Sequence, residues 1–388
     1  MRYRFRYILI MMLLCAGLML LTACSSDSST QNEKLDPSEL SQDLTYKDSM
    51  ELQYATQFSV DYYEDGYALI TIHSTEEDRY LLVPEGGQVP EDLPDGVTVL
   101  QEPLNHIYLV ASAVMDMFAS FDGIDHLAYT GTKAEDWYIE SARQAMEDGD
   151  LIYAGKYSAP DYELILSGGC NLAIENTMIY HTPEVKEELE KFGIPVLVDN
   201  SSYETNPLGR TEWVRLYGLL AGKEEAAAEA YEQQASMFEE IAEEEKTGKT
   251  VAFFYITSDG QANVRKSSDY LAKMIDMAGG SYIFDDLGEE DDTASSTVSM
   301  TMEEFYQTAV DADYIIYNST IEGDLSGIDD LLAQSDLLKN FKAVKEDHVY
   351  CTSKNLYQSS MELGTIISDI NHMLHEQDDS LTYLYRIH

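Results

Sequence analysis

Apolar and polar side chains alternate along residues 56–83, and the alternation is interrupted once. Phe58, Val60 and Tyr62 are separated by polar neighbours, and a second alternating run follows Glu64-Asp65-Gly66. Two alternating runs with an Asp-Gly pair between them predict a β-hairpin that turns at this pair.

From about residue 97 the pattern changes to short apolar runs separated by stretches of helical periodicity. The predicted strands of this part are 107–110, 126–129, 172–174 and 195–198, and the predicted helices are 112–121, 135–147 and 182–192. Strands that alternate with helices are typical of a parallel α/β sheet.

Residues 223–246 differ from both neighbouring parts because they are almost entirely strong helix formers. Five apolar side chains fall on one face at steps of three and four, namely Ala227, Tyr231, Ala235, Phe238 and Ile241. The pattern predicts one helix that is roughly 35 Å long.

The strand–helix alternation then resumes. Strands are predicted at 251–256, 314–317 and 349–351, and helices at 268–278, 302–310 and 361–375. The chain is therefore predicted to have an N-terminal α/β lobe with the extra hairpin over 49–221, a connecting helix over 222–248 and a C-terminal α/β lobe over 249–388.

The N-terminus has the organisation of an export signal. Arg2, Arg4 and Arg6 precede an uncharged apolar run over 7–21, and Leu21-Thr22-Ala23-Cys24 follows. A basic start, an apolar core and small residues predict a signal peptide over 1–23. The apolar run is shorter than the about 20 residues of a spanning helix.

Cys24 stands where the bacterial lipobox places its lipidated cysteine, and this stretch resembles that motif. Two acyl chains on one cysteine give stable anchoring. The alternative is an ordinary signal peptide with an incidental cysteine. The polar residues that follow predict a flexible tether over 24–48, which places the folded part at the extracellular face of the cell membrane.

Charge and cysteine content narrow the function classes. The net charge is −47, and it is −50 once residues 1–23 are removed. Such a surface repels nucleic acid and anionic headgroups. Cys170 and Cys351 could form a disulfide, but two separate buried thiols are favoured because a chain of this size needs no disulfide.

Catalytic motifs are missing from the sequence. There is no Gly-x-Ser-x-Gly, Walker, His-Glu-x-x-His or Gly-x-Gly-x-x-Gly motif. His372 and His375 could pair on a metal, although incidental histidines on a terminal helix are the favoured interpretation. The sequence therefore favours a protein that is not an enzyme.

Several stretches resemble the substrate-binding proteins of ABC importers for iron-siderophores, haem and cobalamin. They are Pro160-Asp-Tyr-Glu163-Leu-Ile165, Asn171-Leu-Ala-Ile174, Leu189-Glu-Lys-Phe-Gly-Ile-Pro-Val196, the stretch 213–226, Met277-Ala-Gly-Gly280, Ser299-Met-Thr-Met-Glu303 and Asp311-Ala-Asp-Tyr-Ile-Ile316. The resemblance covers about residues 97–374. Gly169-Cys170-Asn171 departs from the family's common Lys-Pro-Asp.

This resemblance implies the class III periplasmic-binding-protein fold, an α/β fold of two lobes with parallel-rich sheets joined by one long helix. It also implies a small-molecule ligand in the cleft between the lobes, an ABC permease and its ATPase as partners, and a monomer without a cofactor of its own. The ligand is expected to be an iron chelate, haem or a corrinoid. A bare-metal binder and a surface lipoprotein enzyme are the alternatives.

Two kinds of site residue follow from the resemblance. One glutamate per lobe is expected to dock on basic pockets of the permease, and the matching residues are Glu163 and Glu303, with Glu304 as a competitor. The ligand is expected at the strand ends that face the cleft. The candidates there are Lys133, Trp137, Lys156, Tyr157, Asn176, Met178, Tyr203, Arg210, Arg265 and Tyr357.

Four of these candidates are cations in a strongly acidic chain, namely Lys133, Lys156, Arg210 and Arg265. Clustered cations suit a ligand with carboxylates or an anionic chelate. For each one, a surface ion pair is an equally good explanation.

Overall fold

The computed structural model describes residues 36–74, 77–242, 246–288, 296–353 and 356–388. The predicted signal peptide and Cys24 lie outside the described residues. Residues 41–388 form one unit, and residues 1–40 form another. In the latter the structure describes a single 3-10 turn, Pro37–Glu39, whose cap is Asp36.

A sheet of five strands begins the larger unit. Its strands are β1 (Tyr46–Ser49), β2 (Phe58–Tyr63), β3 (Ala68–Ile72), β4 (Asp78–Val83) and β5 (Val97–Gln101). Neighbouring strands are antiparallel except β4 and β5, which are parallel. β2 and β3 confirm the predicted hairpin, and its turn holds Asp65 and Gly66 at φ 61° and 86°, where Asp and Gly are tolerated.

This sheet corrects two boundaries of the sequence prediction. Residues 46–48 belong to β1, so the predicted tether over 24–48 extends too far. Val97 begins β5, which pairs with β4. The sequence prediction instead assigns residue 97 to the start of the α/β part. Both errors come from pairing between strands that no short turn joins, which a local pattern does not encode.

Two buried carboxylates tie the segment after β1 to the rest of the unit. Glu212 accepts backbone N–H groups of residues 53–55, each at 2.8 Å. Glu204 accepts the N–H groups of Thr56, at 2.9 Å, and Gln57, at 2.8 Å. Each carboxylate is satisfied by charge-assisted hydrogen bonds, which explains why both are tolerated inside.

The first lobe is built on a parallel sheet. Its elements in chain order are β6 (Ile107–Leu109), α1 (Ser112–Ser120), β7 (Leu127–Thr130), α2 (Glu140–Asp148), β8 (Ile152–Tyr153), β9 (Gly155–Lys156), β10 (Ala159–Pro160), α3 (Tyr162–Ser167), β11 (Leu172–Asn176), α4 (Pro183–Lys191), β12 (Val196–Asp199), α5 (Pro207–Glu212) and α6 (Val214–Leu220). The strand order is β12-β11-β6-β7-β8, and β9 and β10 form a separate two-stranded ribbon. All neighbours in the five-stranded sheet are parallel, so their carboxyl ends share one edge.

α7 (Glu224–Ala242) follows and joins the two lobes. It buries Ala227, Tyr231 and Ala235, three of the five side chains of the predicted apolar face. Phe238 and Ile241, the other two, are half-buried and pack against the core of the second lobe. The prediction extended the helix to Lys246, and residues 243–245 lie outside the described residues.

The second lobe has a mixed sheet. Its elements are β13 (Thr250–Ile256), β14 (Ala262–Arg265), α8 (Tyr270–Met277), β15 (Ser281–Tyr282), β16 (Thr297–Met300), α9 (Met302–Ala309), β17 (Tyr314–Tyr317), α10 (Ser319–Glu322), α11 (Ile328–Gln334), α12 (Lys342–Lys345), β18 (Val349–Thr352), α13 (Leu363–Leu374) and β19 (Leu384–Arg386). The strand order within the described residues is β16-β14-β13-β17-β18-β19, with β15 beside β13. The pairs β13–β15, β13–β17 and β17–β18 are parallel. The pairs β13–β14, β14–β16 and β18–β19 are antiparallel.

The architecture confirms the predicted fold class, with two lobes of parallel-rich sheets and one long connecting helix. One helix of the first lobe begins later than predicted, because residues 135–139 do not continue into α2. No helix in the described ranges is both long and apolar enough to cross a membrane.

Candidate functional site

The carboxyl ends of the strands in the two lobes meet across a narrow boundary. Gln358, which follows β18, accepts the N–H of Tyr138 at 2.9 Å and donates to the carbonyl of Asp136 at 2.8 Å. Asp136 and Tyr138 follow β7 in the first lobe. Ser360 donates to the carbonyl of Ala113, at the start of α1, at 2.6 Å. The segments that leave the two sheet edges are therefore in direct contact.

Arg210 and Tyr270 make a second contact between the lobes. Arg210 is on α5, and its guanidinium carbon is 3.8 Å from the ring centroid of Tyr270 on α8. Asp199, at the end of β12, is buried, and burial raises its pKa although hydrogen bonds and the charge of Arg210 oppose this. Burial also raises the pKa of Tyr270 to about 12, so its ring is presented as a neutral phenol.

Arg265 anchors a polar cluster on the second lobe. It ends β14, its side chain is 12% exposed, and it lies 3.7 Å from Asp269. It also donates to the hydroxyl of Tyr357, which accepts a further hydrogen bond from the amide of Asn318 at 2.8 Å. With two donors directed at its oxygen, Tyr357 can give its own proton to an acceptor on a ligand.

Arg210 stacks on Tyr270, and Arg265 contacts both Tyr357 and Asp269, the residue directly before Tyr270. Through these contacts the two arginines and Tyr357 lie near the start of α8. Two guanidinium groups and a phenolic donor can bind an oxyanion or a carboxylate, and two rings can contact a planar group. Arg210 and Arg265 are called the arginine pair below.

Four of the other predicted ligand-binding residues are exposed and lie outside this cluster. Lys133 is exposed and 3.9 Å from Glu135, and Lys156 is exposed on β9. Met178 and Tyr203 are 45% and 41% exposed. Among the described residues no hydrogen bond or ion pair connects these four to the arginine pair.

Three predicted residues have structural roles in this conformation. Trp137 is 2% exposed and packs in the core of the first lobe, so its side chain offers little surface to a ligand in this conformation. The side chain of Asn176 accepts the N–H of Met178 at 2.9 Å and caps the turn after β11. Tyr157 is half-buried and packs against a smaller core under the sheet.

Sequence reasoning missed Tyr270, Asn318 and Gln358. Asn318 could have been found, because it directly follows the strongly apolar strand Tyr314–Tyr317 and so lies at a carboxyl edge. Tyr270 and Gln358 had no local signal, because their partners are far away along the chain.

Two carboxyl groups of the first lobe, the buried Glu175 and the half-buried Asp116, have raised pKa values. Glu175 is 0% exposed, neither of its oxygens has a hydrogen-bond partner among the described residues, and burial raises its pKa to about 8. Burial raises the pKa of Asp116, on α1, to about 7, although it accepts the N–H of Met361 at 2.7 Å.

The two predicted docking glutamates occupy the same helical position. Each is the second residue of its helix, α3 for Glu163 and α9 for Glu303, after a capping residue. Both are exposed and form no hydrogen bond or ion pair with the described residues. Glu304 differs because it accepts the N–H and the hydroxyl of Thr301, both at 2.9 Å, and these bonds lower its pKa.

The cysteines and histidines take no part in this site. Cys170 and Cys351 are free thiols, as predicted, but Cys170 is only half-buried. His375 is hydrogen-bonded to the carbonyl of Asn371 at 2.9 Å, within its own helix turn. In the described part of the chain no three His, Cys, Asp or Glu side chains converge as metal ligands.

The sequence pattern of the periplasmic binding protein family matches residues 110–356, which is most of the two lobes. The chain belongs to the periplasmic binding protein family. The members of this family that serve ABC importers are solute-binding proteins, which work with a permease and an ATPase. An uncharacterised lipoprotein of Methanocaldococcus jannaschii is 24% identical over 84% of this chain and 82% of its own length.

Solved structures of binding proteins share the fold. A protein of the ABC-type Fe3+-hydroxamate transport system of Saccharomonospora viridis has a TM-score of 0.53 at 16% identity, covering 72% of this chain and 93% of its own. The periplasmic haem-binding protein of Vibrio cholerae has a TM-score of 0.53 at 17% identity, covering 67% of this chain and 96% of its own. At such identities the likeness concerns the fold alone.

Proposed function

We propose that this binding protein captures an iron-siderophore, or a related chelate or tetrapyrrole, between its lobes and delivers it to an ABC permease. The observation that carries the proposal is the arginine pair with Tyr357 where the two sheet edges meet. Ferric chelates present a shell of oxygen atoms, often with net negative charge, and guanidinium groups bind such oxygens with directed hydrogen bonds. Fold relatives that serve ferric hydroxamate and haem support the same ligand class.

Exposed apolar side chains at the sheet edges support an organic ligand. Large apolar residues that are at least 41% exposed lie at or after strand ends of both lobes, namely Tyr138, Ile152, Met178, Tyr180, Tyr203 and Ile321. Apolar side chains around a few polar groups are typical of small-molecule sites. The carbon framework of a siderophore or the face of a tetrapyrrole would cover them.

Lobe movement in this proposal is small. Two hydrogen bonds join the first lobe to the second, one between Asp116 and Met361 and one between Thr211 and Ser360 (3.1 Å). A third joins the connecting helix to the second lobe, between Gln234 and Gly364 (3.1 Å). All of them lie next to the start of α13. Such fixed points favour limited closure, so ligand affinity comes from groups that are already positioned.

Docking through Glu163 and Glu303 is part of the proposal. Both carboxylates are exposed at equivalent positions and have no hydrogen-bond or ion-pair partner among the described residues, which leaves them available to arginines of a permease. Glu304 is the weaker candidate, because its carboxylate already holds Thr301. Exposed charges of this kind affect the association rate and the orientation of two protein partners more than their affinity.

The proposal also includes a lipid anchor on Cys24 at the extracellular face of the membrane. A tether of polar residues would hold the lobes at high effective concentration beside the permease. Replacing Cys24 with Ala is expected to remove the lipid mass and to release the protein into the medium, whereas a retained lipid mass would refute this attachment site.

Native mass spectrometry tests the ligand class. The protein is mixed in turn with a ferric trihydroxamate, a ferric tris-catecholate, haemin and cyanocobalamin, and the visible spectrum of each mixture is recorded. We expect a 1:1 complex with at least one of these four, with a changed absorption band. If none binds at micromolar concentration, the proposed ligand class is wrong.

A further inference from the structure

A cavity lies where α5, the end of α7 and α8 come together, lined by none of the residues of the arginine pair and its cluster. Its volume is about 520 Å³, and its lining includes Pro207 of the first lobe, Phe238 and Ile241 of the connecting helix, and Met277 of the second lobe. This volume is in the range of small-molecule sites, about 300–1,000 Å³. An occupant would touch both lobes and the helix that connects them.

One part of the cavity wall is apolar, and Thr205, Asn206 and Asn371 contribute polar groups elsewhere in the lining. Phe238, Ile241 and Met277 are half-buried and continue the apolar core of the second lobe into the open space. Pro207, the first residue of α5, also lines the cavity. A hydrocarbon chain placed against them would complete their burial.

Positive charge lies at the rim of the same cavity. Lys246 and Lys273 both line it and are exposed, and neither forms an ion pair or a side-chain hydrogen bond with a described residue. Among the described lining residues Asp276 is the one acid, and Glu243, Glu244 and Glu245, which precede Lys246, lie outside the described residues. Two lysines against one carboxylate among those described is a local excess of positive charge in a chain with a net charge of −47.

A smaller cavity of about 370 Å³ adjoins this one and shares Thr205, Lys273 and Asp276 with it. Its lining adds a second acid, Asp285. Lys273 lines both cavities, whereas Lys246 lines the larger one and Asp285 the smaller one. An anionic head is therefore favoured in the larger cavity, between Lys246 and Lys273. The tail then extends along the apolar wall.

We propose that this cavity binds an amphipathic carboxylate with an alkyl chain, at a site separate from the chelate cleft. Its carboxylate is held between Lys246 and Lys273, and its chain packs on Phe238, Ile241 and Met277. Because the lining comes from three parts of the fold, the bound molecule joins the two lobes on the side of the connecting helix.

Titration calorimetry with decanoate, below its micellar concentration, tests the site. Wild-type protein is expected to bind one decanoate saturably and to melt at a higher temperature in its presence. Lys273→Met should weaken binding about tenfold or more, the usual effect of one charge-assisted contact. Ala242→Trp, a change at an exposed lining position, should fill the mouth and abolish binding.

Lys47→Met is the matched control, because Lys47 is an exposed lysine of β1 far from the cavity in sequence and forms no side-chain hydrogen bond or ion pair with a described residue. It should bind decanoate like the wild type. The proposal is overturned if wild-type protein shows no saturable binding, or if Lys273→Met and Ala242→Trp bind as tightly as Lys47→Met. Chelate binding by Lys273→Met, measured in parallel, should be unchanged, so this site and the proposed function fail independently.

Discussion

The guanidinium of Arg210 stacks on the ring of Tyr270, 3.8 Å from its centroid, and so joins the first lobe to the second. A cation–π contact that is partly desolvated contributes about 1–2 kcal/mol. The contact also places a positive charge at the boundary between the lobes, next to the cluster of Arg265 and Tyr357. The arginine that is proposed to hold the ligand therefore also helps to hold the lobes in place.

Tyr357→Phe tests the phenolic donor of the cluster. The change removes the hydroxyl that accepts from Arg265 and Asn318 and that is proposed to donate to the ligand. We expect chelate affinity to fall about threefold to tenfold, the effect of one neutral hydrogen bond, in a fluorescence titration. Tyr46→Phe, at a 39% exposed tyrosine of β1, is the control. Equal affinity of the two variants would exclude Tyr357 as a ligand contact.

An ATPase-stimulation assay distinguishes the proposed docking role of Glu163 and Glu303 from the capping role of Glu304. Glu163→Ala and Glu303→Ala are each expected to lower stimulation of the permease ATPase in proteoliposomes, and the double variant to lower it further, with chelate binding unchanged. Glu304→Ala should instead lower the melting temperature slightly, because it removes the reciprocal cap with Thr301. If Glu304→Ala alone impairs stimulation, the docking residue of the second lobe is misassigned.

Glu175 gives a prediction for stability against pH. Its folded-state pKa is about 8, above the ordinary 4.5, so the folded chain keeps a proton that the unfolded chain loses. The contribution of Glu175 to the free energy of unfolding is fully present below pH 4.5. It is lost as the pH rises to 8, by at most about 1.4 kcal/mol per pH unit.

Glu175→Met removes this dependence. In urea unfolding, the stability of the variant relative to wild type should increase between pH 5.5 and pH 8. Asp116, whose pKa is also raised, is present in both proteins and cancels in the comparison. Glu187→Gln, an exposed acid on α4, should show no such trend. A difference between Glu175→Met and wild type that stays constant with pH would contradict the buried, protonated state.

Elements with strong local patterns were predictable from the sequence. β17, at Tyr314–Tyr317, has the predicted bounds, and the predicted helix over 182–192 appears as α4 with Pro183 in its first turn. A run of apolar residues or a well-placed proline acts within one element, so it can be seen without the rest of the fold.

Features that depend on distant pairing were not predictable. The parallel pairing of β4 with β5 and the antiparallel β14 and β16 have no local signal. In the site, loop positions identified Arg210, Arg265 and Tyr357, but not which way a loop side chain turns. Trp137 shows this, because it follows β7 as predicted but enters the core rather than the cleft.

The two thiols are expected to be slow to react. Burial raises the pKa of Cys170 to about 11 and that of Cys351 to about 12, so little thiolate is present at pH 8. For the chain without its first 24 residues, a thiol reagent should titrate two groups after denaturation and react much more slowly before it. A denatured count of zero under non-reducing conditions would reveal a disulfide and contradict the two separate thiols.

The arginine pair is the centre of the account, and an equilibrium titration of the double variant Arg210→Met, Arg265→Met tests it most directly. The ferric chelate that the wild type binds is titrated into wild type, the double variant and Arg143→Met, an exposed arginine of α2 paired with Glu140. Circular dichroism confirms that all three are folded. We expect the double variant to lose at least about a hundredfold in affinity, from two charge-assisted contacts, while Arg143→Met binds like the wild type. Undiminished binding by the folded double variant would contradict a ligand site at the arginine pair.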